Sequence, residues 1–341
     1  MFQTSAAVLK PSSGFRLSSG VLLPTTSVFD MYWFFAAERQ RIFYRRLDHS
    51  PPPWTEDPIL RTYRFTNVYR AADRVSQFLI RNVIYEGDQS VAEVFFRTIL
   101  FKLFNKIETW QLLKETLGEV TWASFDLQRY ISVLDRAMAE GRKIYSPAYI
   151  IPSPNLGFPR KHANHLNLLH RMIEDRCPEK IAAAKSLEEV YLVIRSFPSM
   201  GNFLAFQFAI DLNYSEIIDF PEMEFVVAGP GARSGIRKAF RELGGLTDEE
   251  LILEVTQAAD REFRERGLKF RNLWGRQLQL IDCQNVFCEV DKYARVALPT
   301  NAVGARTRIK RKYQPLAPYD KQWYPPKWDL DISMSVPTDT S

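Results

Sequence analysis

The sequence predicts a mainly α, two-lobed protein, and three observations predict it. Apolar residues recur at helical spacing in one segment after another; Ser90, Ser186 and Thr247 each stand three residues before a Glu at the head of an apolar run; and alternating, strand-like runs are short and scarce. With 341 residues, 46% of them hydrophobic and 25% charged, the composition is that of an ordinary globular protein with enough chain for a substantial core.

The elements follow in order. Residues 1–28 contain no Asp or Glu and lack the charged start, apolar centre and cleavage site of a secretory signal, so a disordered leader is expected, an organellar presequence being the other reading. From Phe29 an amphipathic helix sets Phe29, Tyr32, Trp33, Ala36 and Phe43 against Glu38, Arg39, Arg41 and Arg45. Ser50-Pro51-Pro52-Pro53 breaks it. A helix is expected over Asn67–Ile84, burying Val68, Ala71, Ala72, Val75, Phe78 and Leu79 and exposing Arg70, Asp73, Arg74 and Gln77. The three Ser/Thr-to-Glu pairs (Ser90/Glu93, Ser186/Glu189, Thr247/Glu250) read as capping boxes, each announcing a helix start. Helical periodicity also covers Thr109–Leu117, Ser124–Glu140, His162–Arg176, Met200–Leu212 and Arg276–Val296, and Gly118, Gly141 and Gly267 fall where it stops. Tyr145–Ile151 is the best strand candidate. A helical domain is expected over 29–315, its lobes meeting at the Pro-rich run 151–160, with 316–341 as an irregular tail.

Charge narrows the partner. The net charge of +5 is concentrated late: Arg266–Lys312 holds eleven basic residues against Asp282, Glu289 and Asp291, a stretch that would attract a polyanion or simply face solvent. Within it, Arg306–Lys312 could serve nuclear entry, DNA contact or a solvated strand. No apolar run is long enough to span a bilayer, so an intracellular protein without membrane attachment is expected. Cys177, Cys283 and Cys288 match neither a disulfide framework nor zinc-ligand spacing and read as reduced core thiols; no metal ligand set is expected.

Two segments could carry chemistry. In Phe225–Lys238 an apolar approach meets Gly229-Pro230-Gly231 and then a helix bearing Arg233, Arg237 and Lys238. Free amides at such a helix start suit a phosphate, as in helix-hairpin-helix DNA proteins; a plain helix-helix turn uses the same residues. It is not a nucleotide P-loop, because Gly235 is followed by Ile236 where the phosphate-gripping lysine would stand, and no other segment supplies one. In Cys288–Arg295, helical spacing groups Asp291 with Arg295 and Glu289 with Lys292, which fits a base in a basic cleft or a pair of surface ion pairs. Asn67, Arg70, Asp73 and Arg74 admit the same two readings. Asp211 ends an apolar helix and would need partners if buried, and His162, His165 and His170 lack an accompanying thiol or carboxylate.

Taken together, Phe65–Arg70 with Asp73-Arg74, Phe203-Leu204-Ala205 with Asp211–Tyr214, Gly229–Ala232 and Cys288–Tyr293 resemble the helical domain named after phage 5-hydroxymethyluracil DNA kinases, also described as the α-glutamyl/putrescinyl thymine pyrophosphorylase family. The resemblance implies a fold related to helix-hairpin-helix DNA glycosylases, acting on thymine-like bases modified at the 5-methyl group. It implies no kinase activity of its own, the kinase of those systems being a separate P-loop domain; that kinase, or a thymine oxygenase, would be the functional partner, with DNA as substrate. The implied chemistry is displacement of pyrophosphate by an amine, with a divalent metal as the one cofactor left open. Such a reaction needs an extruded base, cations on the leaving pyrophosphate and a carboxylate base. On this reading Asp291 or Glu289 is the base, with Lys292 and Asp211 as further catalytic candidates; Asn67, Arg70, Asp73, Arg74 and Arg295 hold substrate; Tyr69 or Trp54 stacks; and Gly229, Pro230, Gly231, Arg233, Arg237 and Lys238 hold the DNA backbone. A glycosylase-like excision and a non-catalytic DNA-binding module are the alternatives. Asp291 lies much farther beyond the hairpin than a glycosylase's catalytic Asp does, which favours modification over excision.

Overall fold

Aromatic residues at helical spacing need a covered face, and in this chain they find it mainly in helix-on-helix packing. The computed structural model describes residues 14–147, 151–298, 309, 311–314 and 321–332; the described part is mainly α, with one two-stranded sheet. It divides into two compact units, one from the residues up to Asp73, Val226–Gln322 and those from Trp328 on, the other from Arg74–Phe225 with Trp323–Lys327. The Pro-rich run 151–160 therefore lies inside the second unit and does not separate the lobes; Asn164 ties it down, accepting from Leu156 N at 2.9 Å and donating to the Phe158 carbonyl at 2.8 Å.

In the first unit, β1 (Phe15–Arg16) pairs antiparallel with β2 (Leu22–Leu23), Phe15 opposite Leu23. The expected leader is thus structured from residue 14 on, because Phe15 is fully buried against Phe29 and Phe240, which returns enough to order the chain. Thr26 caps α1 (Ser27–Leu47), and the Thr26 N–H donates to the Ala239 carbonyl at 2.9 Å. Helix α1 is not the two-faced helix expected: Glu38, Arg39, Gln40 and Arg46 are buried along with the aromatics, and Arg41 and Arg45 alone of its predicted polar side face out. Asp57 caps α2 (Pro58–Thr62). The helix expected over Asn67–Ile84 is broken. A 3₁₀ turn at Arg70–Ala72 ends at Asp73, which accepts the Asn67 N–H at 2.8 Å, and this local closure competes with helical pairing. The unit is completed by α11 (Pro230–Ala239), α12 (Asp248–Gln257), α13 (Ala259–Glu265) and α14 (Leu280–Ala297), with α14 packed on α1, α11 and α12.

In the second unit, α3 (Arg74–Leu79) runs into a π turn (Ile80–Ile84) whose carbonyls at Val83 and Ile84 accept from buried Arg97 at 2.9 and 3.2 Å. Helices α4 (Val91–Phe104), α5 (Ile107–Leu117), α6 (Leu127–Ala139), α7 (Lys161–Glu174), α8 (Cys177–Ala182), α9 (Leu187–Arg195) and α10 (Asn202–Leu212) follow. Helix α4 is covered on every face: Phe95, Phe96, Ile99, Leu100 and Leu103 are each fully buried and contribute about 1.5–3 kcal/mol apiece.

Of the three capping boxes, Thr247/Glu250 forms completely, Ser186 accepts the Glu189 N–H at 3.1 Å while the Glu189 carboxylate accepts from Lys185, and Ser90/Glu93 does not form. Glu93 instead accepts the Trp122 and Ala123 amides at 2.8 and 2.9 Å. Of the strand expected at Tyr145–Ile151, residues 148–150 lie outside the described residues and the others pair with no strand. No helix among the described residues is long and apolar enough to cross a membrane.

Candidate functional site

The first unit gathers most of the predicted residues along α14. Asp282 and Glu289 stand seven apart, two helical turns, and face the segment 65–73. Asp282 accepts the Arg70 N–H at 2.8 Å and the Gln279 N–H at 3.1 Å; Glu289 accepts the Thr66 N–H at 3.3 Å and pairs with Lys292 Nζ at 2.5 Å. The loop is pinned at both ends by one helix. Between the pins, the Asn67 side-chain amide donates to the Ala72 carbonyl, and its oxygen accepts from Arg39 Nη2 at 2.6 Å. Arg39 is only 8% exposed, and its Nη1 is buried with no hydrogen-bond partner among the described residues. Sequence reasoning missed Arg39. Its signal was the Phe34-Phe35 pair, which puts apolar bulk on adjacent faces and marks a helix buried all round.

Asp73 closes this group, half-buried, with Oδ1 on the Asn67 N–H and no partner for Oδ2 among the described residues. Burial raises its carboxyl to about 6, with the Glu289 charge adding to the rise and the Asn67 hydrogen bond, Arg39 and Arg70 opposing it.

The opposite face of α14 meets α11. Asp291, 1% exposed, accepts from Ser234 Oγ and Lys238 Nζ, each at 2.7 Å, on one oxygen and pairs with Arg295 on the other. Burial alone would lift this carboxyl; the bonds from Lys238 and Ser234 and the neighbouring cations outweigh it and hold Asp291 below the usual carboxylate range. Such a group stays ionised and is a weak proton acceptor.

The Gly-Pro-Gly element is a helix start, with Gly229 at the N-cap in extended backbone and Pro230 in the first turn. Gly231 and Gly235 allow α11 to lie against α14: a Cβ on either would overlap Cys288 Sγ or the Phe287 carbonyl. The flanking cations are engaged. Arg237 pairs with Asp248 at 2.6 Å, and Arg233 reaches Glu249 at 3.5 Å, while the Ala228 N–H donates to Glu249 at 2.9 Å. Both arginines remain more than half exposed at the side chain.

The remaining predicted residues fall elsewhere. Tyr69 is 2% exposed, with its hydroxyl on the Arg276 carbonyl and its ring beside Phe270, so no face is left for a base. Trp54 carries Arg46 over its ring at 5.2 Å and the edge of Tyr313. Asp211 and Arg74 belong to the second unit; Arg74 is exposed at the start of α3, and fully buried Asp211 lies 3.1 Å from Lys102 Nζ. His165, held between the Tyr145 hydroxyl and the Pro152 carbonyl, is pushed down to about 4 by burial. The three cysteines are free thiols. Of the basic stretch 306–312, residues 306–308 and 310 lie outside the described residues; Arg311 and Lys312 run beside 62–64, with Arg64 N donating to the Arg311 carbonyl at 3.1 Å.

Residues 26–302 match the family described as "5-hmdU DNA kinase, helical domain". A Bacillus phage SP10 protein named "5-hmdU DNA kinase" is 28% identical over 289 residues, a match covering 78% of this chain and 45% of the phage protein, so the chain spans about half that relative's length. No solved structure matches. The matched residues include Arg39, Asn67, Asp73, Glu289 and Asp291, and the chain belongs to the 5-hmdU DNA kinase helical-domain family.

Proposed function

We propose that the chain modifies 5-hydroxymethyluracil derivatives in DNA, replacing a pyrophosphate on the 5-methylene group by an amine. The amine nitrogen forms a bond to that carbon as the carbon–oxygen bond breaks, pyrophosphate leaves with the electron pair, and a carboxylate takes the proton shed by nitrogen. The observation that carries the reading is the polar group made by Arg39, Asn67, Asp73, Glu289 and Lys292, which sets carboxylates among cations within the span matched by the family. The relative's name supports the substrate class. Phosphoryl transfer is assigned elsewhere, since the 341 residues contain no Gly-Lys-Ser/Thr phosphate loop. The glycosylase-like part of the proposal gives the DNA backbone the start of α11 with Arg233, and Arg237 of its last turn; Lys238, also in that turn, is 10% exposed at its side chain and bound to Asp291, so it is not available to DNA.

The test is reconstitution. Hydroxymethyluracil DNA is incubated with the protein, a separate P-loop DNA kinase, ATP and candidate amines, and the digested nucleosides are weighed. An amine-bearing thymine nucleoside is expected. Loss of the base would favour excision, and unchanged nucleosides would leave a DNA-binding module.

A further inference from the structure

The carboxylates of the site differ in what they have left to offer. Both oxygens of Asp291 are taken by Ser234, Lys238 and Arg295, both of Glu289 by Lys292 and the Thr66 N–H, and both of Asp282 by the Arg70 and Gln279 amides. Asp57, also buried nearby in sequence, is spent on the α2 amides of Ile59 and Leu60 and on the Tyr293 hydroxyl. Asp73 alone in this set keeps an oxygen without a partner among the described residues, and it is half-buried where the others are buried.

We infer that Asp73 is the proton acceptor of the reaction proposed above, and that Asn67 and Arg39 are its positioning residues. The assignment rests on that functional reading and replaces Asp291 and Glu289 in the role. The Asn67 N–H fixes Oδ1, so Oδ2 is presented in one orientation; Arg39 fixes Asn67 in turn through the 2.6 Å bond from Nη2 to Oδ1. The neutral amine bonds to the 5-methylene carbon, the carbon–oxygen bond to pyrophosphate breaks, and the proton released from nitrogen passes to Asp73 Oδ2. The charged groups acting on Asp73 come from three elements: Arg39 on α1, Arg70 on the 3₁₀ turn and Glu289 on α14. Burial, which raises it most, set against the Asn67 hydrogen bond and these charges, leaves the carboxyl at about 6, ionised at neutral pH and a stronger base than an ordinary aspartate. Arg39 Nη1 is a buried donor in this group with no hydrogen-bond partner among the described residues.

The experiment measures amine addition to a duplex carrying pyrophosphorylated 5-hydroxymethyluracil from about pH 5 to about pH 8, for the wild type, Asp73→Asn and Arg39→Gln, each normalised to folded protein. Ratios of variant to wild type cancel the amine's own ionisation. Asp73→Asn is expected to lower the rate on the order of a hundredfold or more and to lose the limb near pH 6. Arg39→Gln removes a cation that keeps Asp73 ionised, so its limb moves to higher pH while turnover persists above it; this variant also decides the matter if Asp73→Asn does not fold. An Asp73→Asn protein with wild-type rate and limb, or an Arg39→Gln protein with an unshifted limb, overturns the assignment while the functional reading stands. A wild type that forms no amine adduct overturns both.

Discussion

Gly235 of α11 faces the Phe287 carbonyl of α14 so closely that a methyl group in place of its hydrogen would overlap that carbonyl. Helix propensity alone predicts that Gly235→Ala stabilises the protein by about 1 kcal/mol, because glycine is the costlier residue in a helix interior. The packing predicts the opposite sign. Backbone must move to admit the methyl, at a cost of roughly 1–3 kcal/mol or more, and the Lys238 and Ser234 bonds to Asp291 move with it. Thermal denaturation of Gly235→Ala decides between them: a lowered midpoint is expected, and an unchanged or raised one would show that the two helices are not held at this distance.

Lys102 and Asp211 form a buried pair in the second unit, 3.1 Å apart, with Lys102 also donating to Asn105 Oδ1 at 3.0 Å. Removing one partner leaves a charge in the core, so Lys102→Met or Asp211→Asn is expected to cost about 3–5 kcal/mol. The double substitution to Met and Leu should restore most of that loss, since an apolar pair of similar volume is tolerated. Denaturant unfolding of the three variants checks the coupling; single variants within about 0.5 kcal/mol of wild type would place this pair in contact with water.

His165 gives the second unit an acid sensitivity. Its folded value of about 4 lies below the usual value of 6.5, so the unfolded chain takes up the proton first as pH falls. The stabilisation is complete above pH 6.5 and drains as the pH drops toward 4, amounting to roughly 3 kcal/mol at the limit. Melting at about pH 7.5 and about pH 5 should show a larger drop for wild type than for His165→Gln, which has no such proton to gain. Parallel drops would place the transition's acid dependence elsewhere.

Much of the helical map was legible because apolar periodicity and end signals are local. The segments ending in Leu117 and Leu212 needed nothing beyond their own spacing and a glycine or cap. What escaped was set by tertiary contacts. Phe15 orders residues that look like a leader only because Phe29 and Phe240 cover it. Asn67–Ile84 has helical spacing throughout, yet the Asn67–Asp73 bond and the two α14 carboxylates impose a break. At the site, Glu289, Asp291 and Lys292 could be singled out from the sequence. Which carboxylate keeps an oxygen without a partner among the described residues could not, because that depends on Ser234, Lys238 and Thr66 arriving from elsewhere in the chain. Arg39 was hidden for the same reason: a charged residue in a helix reads as surface until aromatics are found on every side.

Amine transfer by this chain itself is read in pyrophosphate release. A duplex already carrying pyrophosphorylated 5-hydroxymethyluracil is mixed with the protein and an amine, with neither kinase nor ATP present, and free pyrophosphate is followed by phosphorus NMR beside the nucleoside masses. Amine-dependent release is expected, one pyrophosphate for each amine-bearing nucleoside formed. No release, or release accompanied by a missing base, would contradict it.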